Sequence, residues 1–327
     1  MFEVEKYVKR SKPKTIAVVI LIFATAFAGC IGESESIRIS GAWALYPMML
    51  VWADEYEKAY GVTVDVSGGG AGKGMSDVLN EQVDIGMVSR PIREEELEQG
   101  AFYIAVTKDA VVATINVNNP VLDEIYEQGL SREDLRKIFM KEVTHWGDVV
   151  NKSIEDDKIV VYGRSDASGA AKVWASFLGN YTQSDLQSKA VANFDGDMNL
   201  ATGVRGEKNA IGFNNLNYAY DIETGGFAEG IRPVPLDLNG NDKLDQNENF
   251  YDNRDQLVEN VSLGNYPSPP ARKEYLVSKG PFKGKTKDFV HWILTDGQAF
   301  VRENGYVQLS DETLEQELEC LEKGNRE

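Results

Sequence analysis

Gly163-Arg164-Ser165-Asp166-Ala167-Ser168-Gly169-Ala170-Ala171 follows the apolar run Ile159-Val160-Val161-Tyr162 and leads into Lys172-Val173-Trp174-Ala175-Ser176-Phe177-Leu178. The apolar positions 173, 174, 177 and 178 share one helical face. The stretch therefore predicts strand, polar loop and helix, with Ser168 at the N-cap. A helix start carries unpaired backbone N–H groups and a partial positive charge, and it binds oxyanions readily. Arg164 adds a fixed guanidinium fork, and Asp166 is placed to hold that fork still. Taken alone, these residues read equally well as an ordinary capped surface helix. Two similar glycine-rich helix entries upstream weigh against that.

The first upstream entry is Gly41-Ala42-Trp43-Ala44-Leu45-Tyr46-Pro47, which turns the strand Ile37-Arg38-Ile39-Ser40 into a helix. The second, Ser67-Gly68-Gly69-Gly70-Ala71-Gly72-Lys73-Gly74, follows an alternating strand at 62–66 and opens a helix at 75–80. Its glycines let backbone N–H groups face a ligand without obstruction. It is not a P-loop, because Ser67 stands where the first glycine is needed and Gly74 where Ser or Thr is needed.

Further along, 83–91 is a strand with its exit, and 94–98 is an acidic helix expected to face solvent. Segments 102–106 and 111–117 read as two strands. Asn118-Asn119-Pro120 then breaks the run, which places a lobe boundary there. A helix over 130–139 has Ser131 at its N-cap, and 210–213 is a strand ending the second lobe. The chain returns with a strand at 273–277 and a helix over 289–306 that buries Phe289, Trp292, Ile293, Phe300 and Val301. Residues 311–327 are expected to be a fraying acidic tail. Alternating strands and helices predict an α/β fold with ligands at the carboxyl ends of the strands.

The 327 residues suffice for two lobes. Residues 1–29 have a basic start (Lys6, Lys9, Arg10, Lys12, Lys14) and an apolar run. They end in Phe27-Ala28-Gly29-Cys30. This predicts a secretory leader with a lipobox-like end, Cys30 as the lipidated residue and 30–36 as a tether, with a retained transmembrane anchor as the alternative. Cys320 is then the only other cysteine, so no intrachain disulfide framework exists. The net charge of −18 disfavours nucleic acid and gives no basic route to anionic lipid. With only His145 and His291, a zinc cluster or a histidine-dependent triad is not expected.

In this order the motifs resemble the phosphate-binding lipoproteins of ABC importers, within the type II periplasmic-binding-protein fold. The resemblance spans about 37–310. It is carried by Ser40-Gly41…Leu45-Tyr46-Pro47, the loop 67–74 and Val83-Asp84-Ile85-Gly86-Met87-Val88-Ser89-Arg90-Pro91. Phe139…Trp146, Gly163-Arg164…Ser168-Gly169 and Trp292-Ile293-Leu294-Thr295-Asp296-Gly297-Gln298…Gly305-Tyr306-Val307 complete it.

The resemblance implies two lobes, each a mixed sheet flanked by helices, joined by a hinge and closing on a tetrahedral oxyanion. Lobe I would comprise 37–117 and 266–327, lobe II 118–230, with 231–265 an insertion. It also implies delivery to an ABC permease with no chemistry on the ligand, and attachment to the membrane by the lipid anchor. By position, Ala44, Leu45, Ala71, Gly72, Ser89, Arg164, Asp166, Ser168, Gly169 and Ala170 would line the cleft. The family usually has hydroxyl residues where this chain has Ala44, Ala71 and Ala170, and some members place an acid where it has Ser89. Arg90 and Lys73 either reach inward in compensation or sit at the solvated surface. Phosphate is the expected ligand. Sulfate, molybdate or tungstate, a surface module that has lost its ligand, and an enzyme acting on phosphorylated substrates stay open as alternatives.

Independently, Asp237-Leu238-Asn239-Gly240-Asn241-Asp242-Lys243-Leu244-Asp245-Gln246-Asn247-Glu248 matches the twelve-residue EF-hand loop. Asp237, Asn239, Asn241, the Lys243 carbonyl, Asp245 and Glu248 fall at the ligating positions, which predicts a structural calcium. Asp242 replaces the usual glycine. Pro233 and Pro235 preclude a preceding helix. A solvated acidic turn is the alternative.

Overall fold

The computed structural model describes residues 36–326. The expected leader, Cys30 and nearly all of the tether lie outside these residues. The strands are β1 (Ile37–Gly41), β2 (Val64–Gly68), β3 (Ile85–Val88), β4 (Ala101–Asn116), β5 (Val160–Arg164), β6 (Ala192–Phe194), β7 (Ala210–Asn215), β8 (Ile231–Pro233) and β9 (Ala271–Lys279). They are ordered β2-β1-β3-β9-β4-β7-β5-β6, with β8 beside β4.

Strands β1, β2 and β3 are parallel, as are β5, β6 and β7. Helices carry the chain back between parallel strands, as parallel pairing requires. Among them are Tyr46–Tyr60 after β1, Ala71–Leu79 after β2 and Gly169–Leu178 after β5. Helices therefore begin where β1, β2 and β5 end, and the three glycine-rich entries occupy those turns.

Two large apolar cores pack on this sheet, beside a small third cluster of Val204, Ala210 and Ile231. Ile39, Trp52, Val88, Ile104, Phe289 and Ile293 belong to the first. Val112, Ile138, Trp146, Trp174, Phe213 and Leu257 belong to the second. Strands β4 and β9 pass from one to the other: Val106 lies in the first core and Ala110 in the second, while Leu276 lies in the first and Ala271 in the second.

The two strands expected at 102–106 and 111–117 are thus one strand of 16 residues. Thr107, Lys108 and Asp109 read as a polar interruption, yet they stay in the ladder opposite Glu274, Lys273 and Arg272. The change of core falls inside β4, upstream of Asn118. The 231–265 stretch joins the second core, with β8 pairing β4 and Phe250, Tyr251 and Leu257 buried there.

Three local expectations are corrected. The tail is a helix, Asp311–Lys323, whose Ser310 side chain accepts from the Thr313 amide. Leu314, Leu318 and Leu321, at helical spacing, pack on the first core. Its Glu317 is buried, accepts from the Ala105 amide at 3.1 Å and pairs with Arg326 at 2.7 Å. The helix expected over 289–306 is instead Gly284–Leu294 followed by a 3-10 turn, Asp296–Phe300. Finally, the helix Glu94–Glu98 is not wholly solvated. Glu96 is buried between Arg90 and Arg93. Burial alone would raise its pKa, but the guanidinium bonds and the Arg93 amide hold it down at about 2.

Candidate oxyanion site

Strand β5 ends at Arg164, and the loop after it turns back so that Asp166 meets its guanidinium. Nε donates to Asp166 Oδ1 and Nη2 to Asp166 Oδ2, both at 2.8 Å. Nη1 donates to Asp197 Oδ2 at 2.6 Å. The three side chains are 1%, 5% and 0% exposed respectively. Asp197, in the first turn of the helix Gly196–Gly206, also accepts from the Asn215 amide at 3.0 Å and from Asn215 Nδ2 at 2.8 Å.

A guanidinium has five N–H donors in a rigid fork, so three are engaged and two are left for a ligand. Burial disfavours the Arg164 cation, but the two carboxylates outweigh it and push its pKa above the usual value, so the cation is permanent. One cation between two carboxylates leaves a local charge of −1. An arriving anion must then be held by neutral donors as well as by the fork.

Those donors come from helix starts. Ser168 Oγ caps its helix by accepting from the Ala171 amide at 3.1 Å, and Gln183 Oε1 accepts from the Ser168 amide. The amides of Ala71, Gly169 and Ala170 have no protein acceptor among the described residues. Gly72 departs from expectation, because its amide donates to the Ala167 carbonyl at 3.0 Å and is not free for a ligand.

That bond joins the glycine loop of the first core to the arginine loop of the second. Gly70 allows the approach. Its φ is 88°, and a Cβ there would stand 2.7 Å from Asp166 Oδ2. Ser89 makes a second junction, with its hydroxyl packed directly against Gly169.

The structure therefore brings Ala71, Gly72, Ser89, Arg164, Asp166, Ser168, Gly169 and Ala170 into one place. Leu45 is different: its side chain is fully buried in the first core and offers nothing to a ligand. Ala44 is buried, with its carbonyl accepting from the Tyr306 hydroxyl. Neither cation offered as compensation reaches Arg164. Lys73 pairs with Asp77, and Arg90 is held by Glu96.

Sequence reasoning missed Asp197, which is distant in the chain and carries no local signal beyond a helix start. It also assigned no role to Trp43. The Trp43 indole packs against Gly68 and Gly196, and the Tyr218 hydroxyl donates to its carbonyl at 3.1 Å.

The loop 237–248 is a closed turn. Asp237 Oδ1 accepts from the Gly240 amide at 2.7 Å, and Oδ2 from the Asp242 amide at 2.9 Å. Glu248 Oε1 accepts from the amides of Leu238 and Asn239. Asp242 takes the left-handed conformation, φ 57°, which glycine normally supplies at that position. Asn239 and Asn241 both point Nδ2 at Asp245 Oδ2, each at 3.0 Å. Among the described residues no three His, Cys, Asp or Glu side chains gather as a metal cluster, so oxygens for a cation would have to include Asn amides and a backbone carbonyl.

Comparison with known proteins finds relatives by sequence and by fold. A family model described as a PBP superfamily domain matches residues 31–297. The phosphate-binding protein PstS of Bacillus subtilis is 24% identical over 282 residues, covering 85% of this chain and 82% of that protein. Protein SphX of Synechococcus elongatus is 28% identical over 290 residues, covering 84% and 77%. Among solved structures, a Clostridium perfringens protein with bound phosphate superposes with a TM-score of 0.67 at 21% identity. That match covers 84% of this chain and all of that one.

Proposed function

The chain belongs to the PBP superfamily, and from that premise we propose that it is an extracytoplasmic receptor that binds inorganic phosphate and hands it to an ABC permease. The observation that carries this reading is the buried Arg164 fork, held by Asp166 and Asp197 with two donors to spare. It lies where the glycine loop of the other core docks. The PstS relatives support phosphate as the ligand. Among the described residues the site brings no nucleophile together with a base, and binding without turnover is the chemistry its residues favour. Tethering through Cys30 belongs to the same reading, supported by the leader sequence. Among the described residues no helix is long and apolar enough to cross a membrane.

Calorimetric titration of the anion-stripped protein with phosphate, sulfate, molybdate and tungstate is the test. We expect one-to-one binding of phosphate in preference to the other three. Preference for a fully ionised anion would transfer the reading to that ligand, and silence from all four would end it. A mature N-terminus other than a lipid-modified Cys30, read by mass spectrometry, would remove the tether.

We also propose a structural calcium in the loop 237–248. Support comes from the ligand spacing and the left-handed Asp242. The two Asn amides converge on Asp245, and rotating each by half a turn would present oxygen in place of nitrogen. Binding to the folded state alone stabilises it in proportion to ln(1 + [L]/Kd). Calcium at 1 mM is expected to raise Tm by several degrees over chelator, and Asp237→Ala to abolish the difference. Superimposable melting curves for the unmodified protein would rule the ion out.

A further inference from the structure

The site lacks side-chain hydroxyls at Ala44, Ala71 and Ala170, and three of the five Arg164 donors are held by carboxylates. One more neutral donor faces the same place. Trp43 Nε1 is buried and has no hydrogen-bond partner among the described residues. An indole N–H only donates, so nothing within its own side chain can satisfy it. Leaving such a group buried and unpaired costs stability.

The indole bridges the two halves of the molecule. Its six-membered ring fills the space beside Gly68, at the end of β2, so closely that a Cβ there would collide with it. Its nitrogen edge lies over Gly196, where a Cβ would stand 3.4 Å from Nε1. Gly196, with φ 79°, donates its amide to Asp166 Oδ1 at 3.2 Å. The unpaired N–H is therefore one residue away from the Arg164–Asp166 pair. Its backbone is fixed by the Tyr218 hydroxyl, and Tyr46 packs edge-on against the ring at 5.5 Å between centroids. Trp174 Nε1 is also unpartnered, but its ring lies in the second core between Phe139, Phe177 and Phe213, away from both loops.

We propose that Trp43 is an oxyanion-binding residue whose indole N–H donates to the anion held by Arg164, in place of the missing hydroxyls. This rests on the oxyanion-receptor reading above. A neutral donor suits a site whose own groups already sum to −1, because it attracts the ligand without calling for another carboxylate to balance it. The ring that carries the donor also packs against glycines from both halves, so it reaches bonding position only when they meet.

The test is Trp43→Phe in the full chain, which keeps an aromatic side chain between the two loops and removes the N–H together with part of the indole ring. Titrated with inorganic phosphate, it is expected to bind tenfold or more weakly than the unmodified protein while still unfolding in one cooperative transition. In 1H–15N spectra of the unmodified protein, one indole resonance is expected to move downfield at saturating phosphate and to be missing from Trp43→Phe. Affinity within twofold of the unmodified protein overturns the assignment. So does a set of indole resonances that phosphate leaves in place, and that measurement stands even where the variant fails to fold. Unmodified protein that binds no oxyanion overturns the receptor reading and the Trp43 assignment together. Tight binding by both proteins overturns the assignment alone.

Discussion

Arg164→Ala is expected to lose phosphate affinity by at least about 100-fold and to lose about 3–5 kcal/mol of stability at the same time. Both effects follow from the guanidinium holding two carboxylates that are 5% and 0% exposed. Deleting one partner of a buried ion pair leaves an uncompensated charge, and the stability figure is the usual size of that penalty. Loss of affinity follows because, among the described residues, Arg164 is the cation seated between Asp166 and Asp197 at the junction of the two loops; Lys73 and Arg90 are committed elsewhere. The two losses are separable. Arg164→Ala combined with Asp197→Asn removes one of the stranded charges while keeping an acceptor for the Asn215 amide, which now donates to Asp197 Oδ1. The double variant should recover part of the melting temperature and none of the binding. Arg164→Lys keeps the charge but cannot span Asp166 and Asp197 with one nitrogen, so it should fall between. Phosphate affinity within threefold of the unmodified protein in folded Arg164→Ala would refute the site.

How much of this was legible beforehand depended on how local each signal was. Arg164, Asp166 and Ser168 lie within five positions of one another, so strand end, fork and cap could be read from one short loop. The glycine loop was legible for the same reason. Asp197 was not, because its partnership with Arg164 is made by β5 and β6 lying side by side and the helix Gly196–Gly206 starting beside them. Chain order says nothing of that. The Gly72 amide was misjudged because a helix start was assumed to be free, whereas the Ala167 carbonyl from the opposite half takes it. Polar residues misled in the other direction. Thr107-Lys108-Asp109 looked like a break between strands, and the acidic 311–327 like a tail. In each case a partner distant in sequence supplies what the segment lacks: β9 for the first, and the first core with Arg326 for the second. Leu314, Leu318 and Leu321 were the available clue to the helix.

The same polar triplet leads to the second large effect. Asp109 and Arg272 are paired across β4 and β9, and Glu274 lies two residues along on the face of β9 that Arg272 shares. Arg272 stands 3.5 Å from Asp109 and 3.3 Å from Glu274, and all three are buried. Both Glu274 oxygens lack a hydrogen-bond donor. Arg272 Nη2 donates to Asn215 Oδ1, and Asn215 donates to Asp197, so the cluster is linked through one amide to the Arg164 site. Asp197, Tyr218, Tyr266 and Tyr306 are the other ionisable groups close by.

Burial, only partly offset by Arg272, lifts Asp109 to about 6 and Glu274 well above the ordinary carboxylate range. The sign follows directly. The folded state holds protons that the unfolded chain has released, so stability declines as pH rises from about 4, where unfolded carboxyls titrate, through the folded pKa values. Each proton so retained makes that decline about 1.4 kcal/mol per pH unit. Glu274→Gln keeps the shape and cannot ionise. It should therefore melt close to the unmodified protein near pH 4.5 and above it by a margin that grows up to pH 8, with Asp109→Asn behaving likewise at smaller amplitude. Because β4 and β9 are the strands that pass between the two cores, a charge forced onto Glu274 is buried in that connection. Melting curves for Glu274→Gln that run parallel to those of the unmodified protein from pH 4.5 to 8 would show that Glu274 is ionised in the fold, and would exclude a proton stored between the two cores.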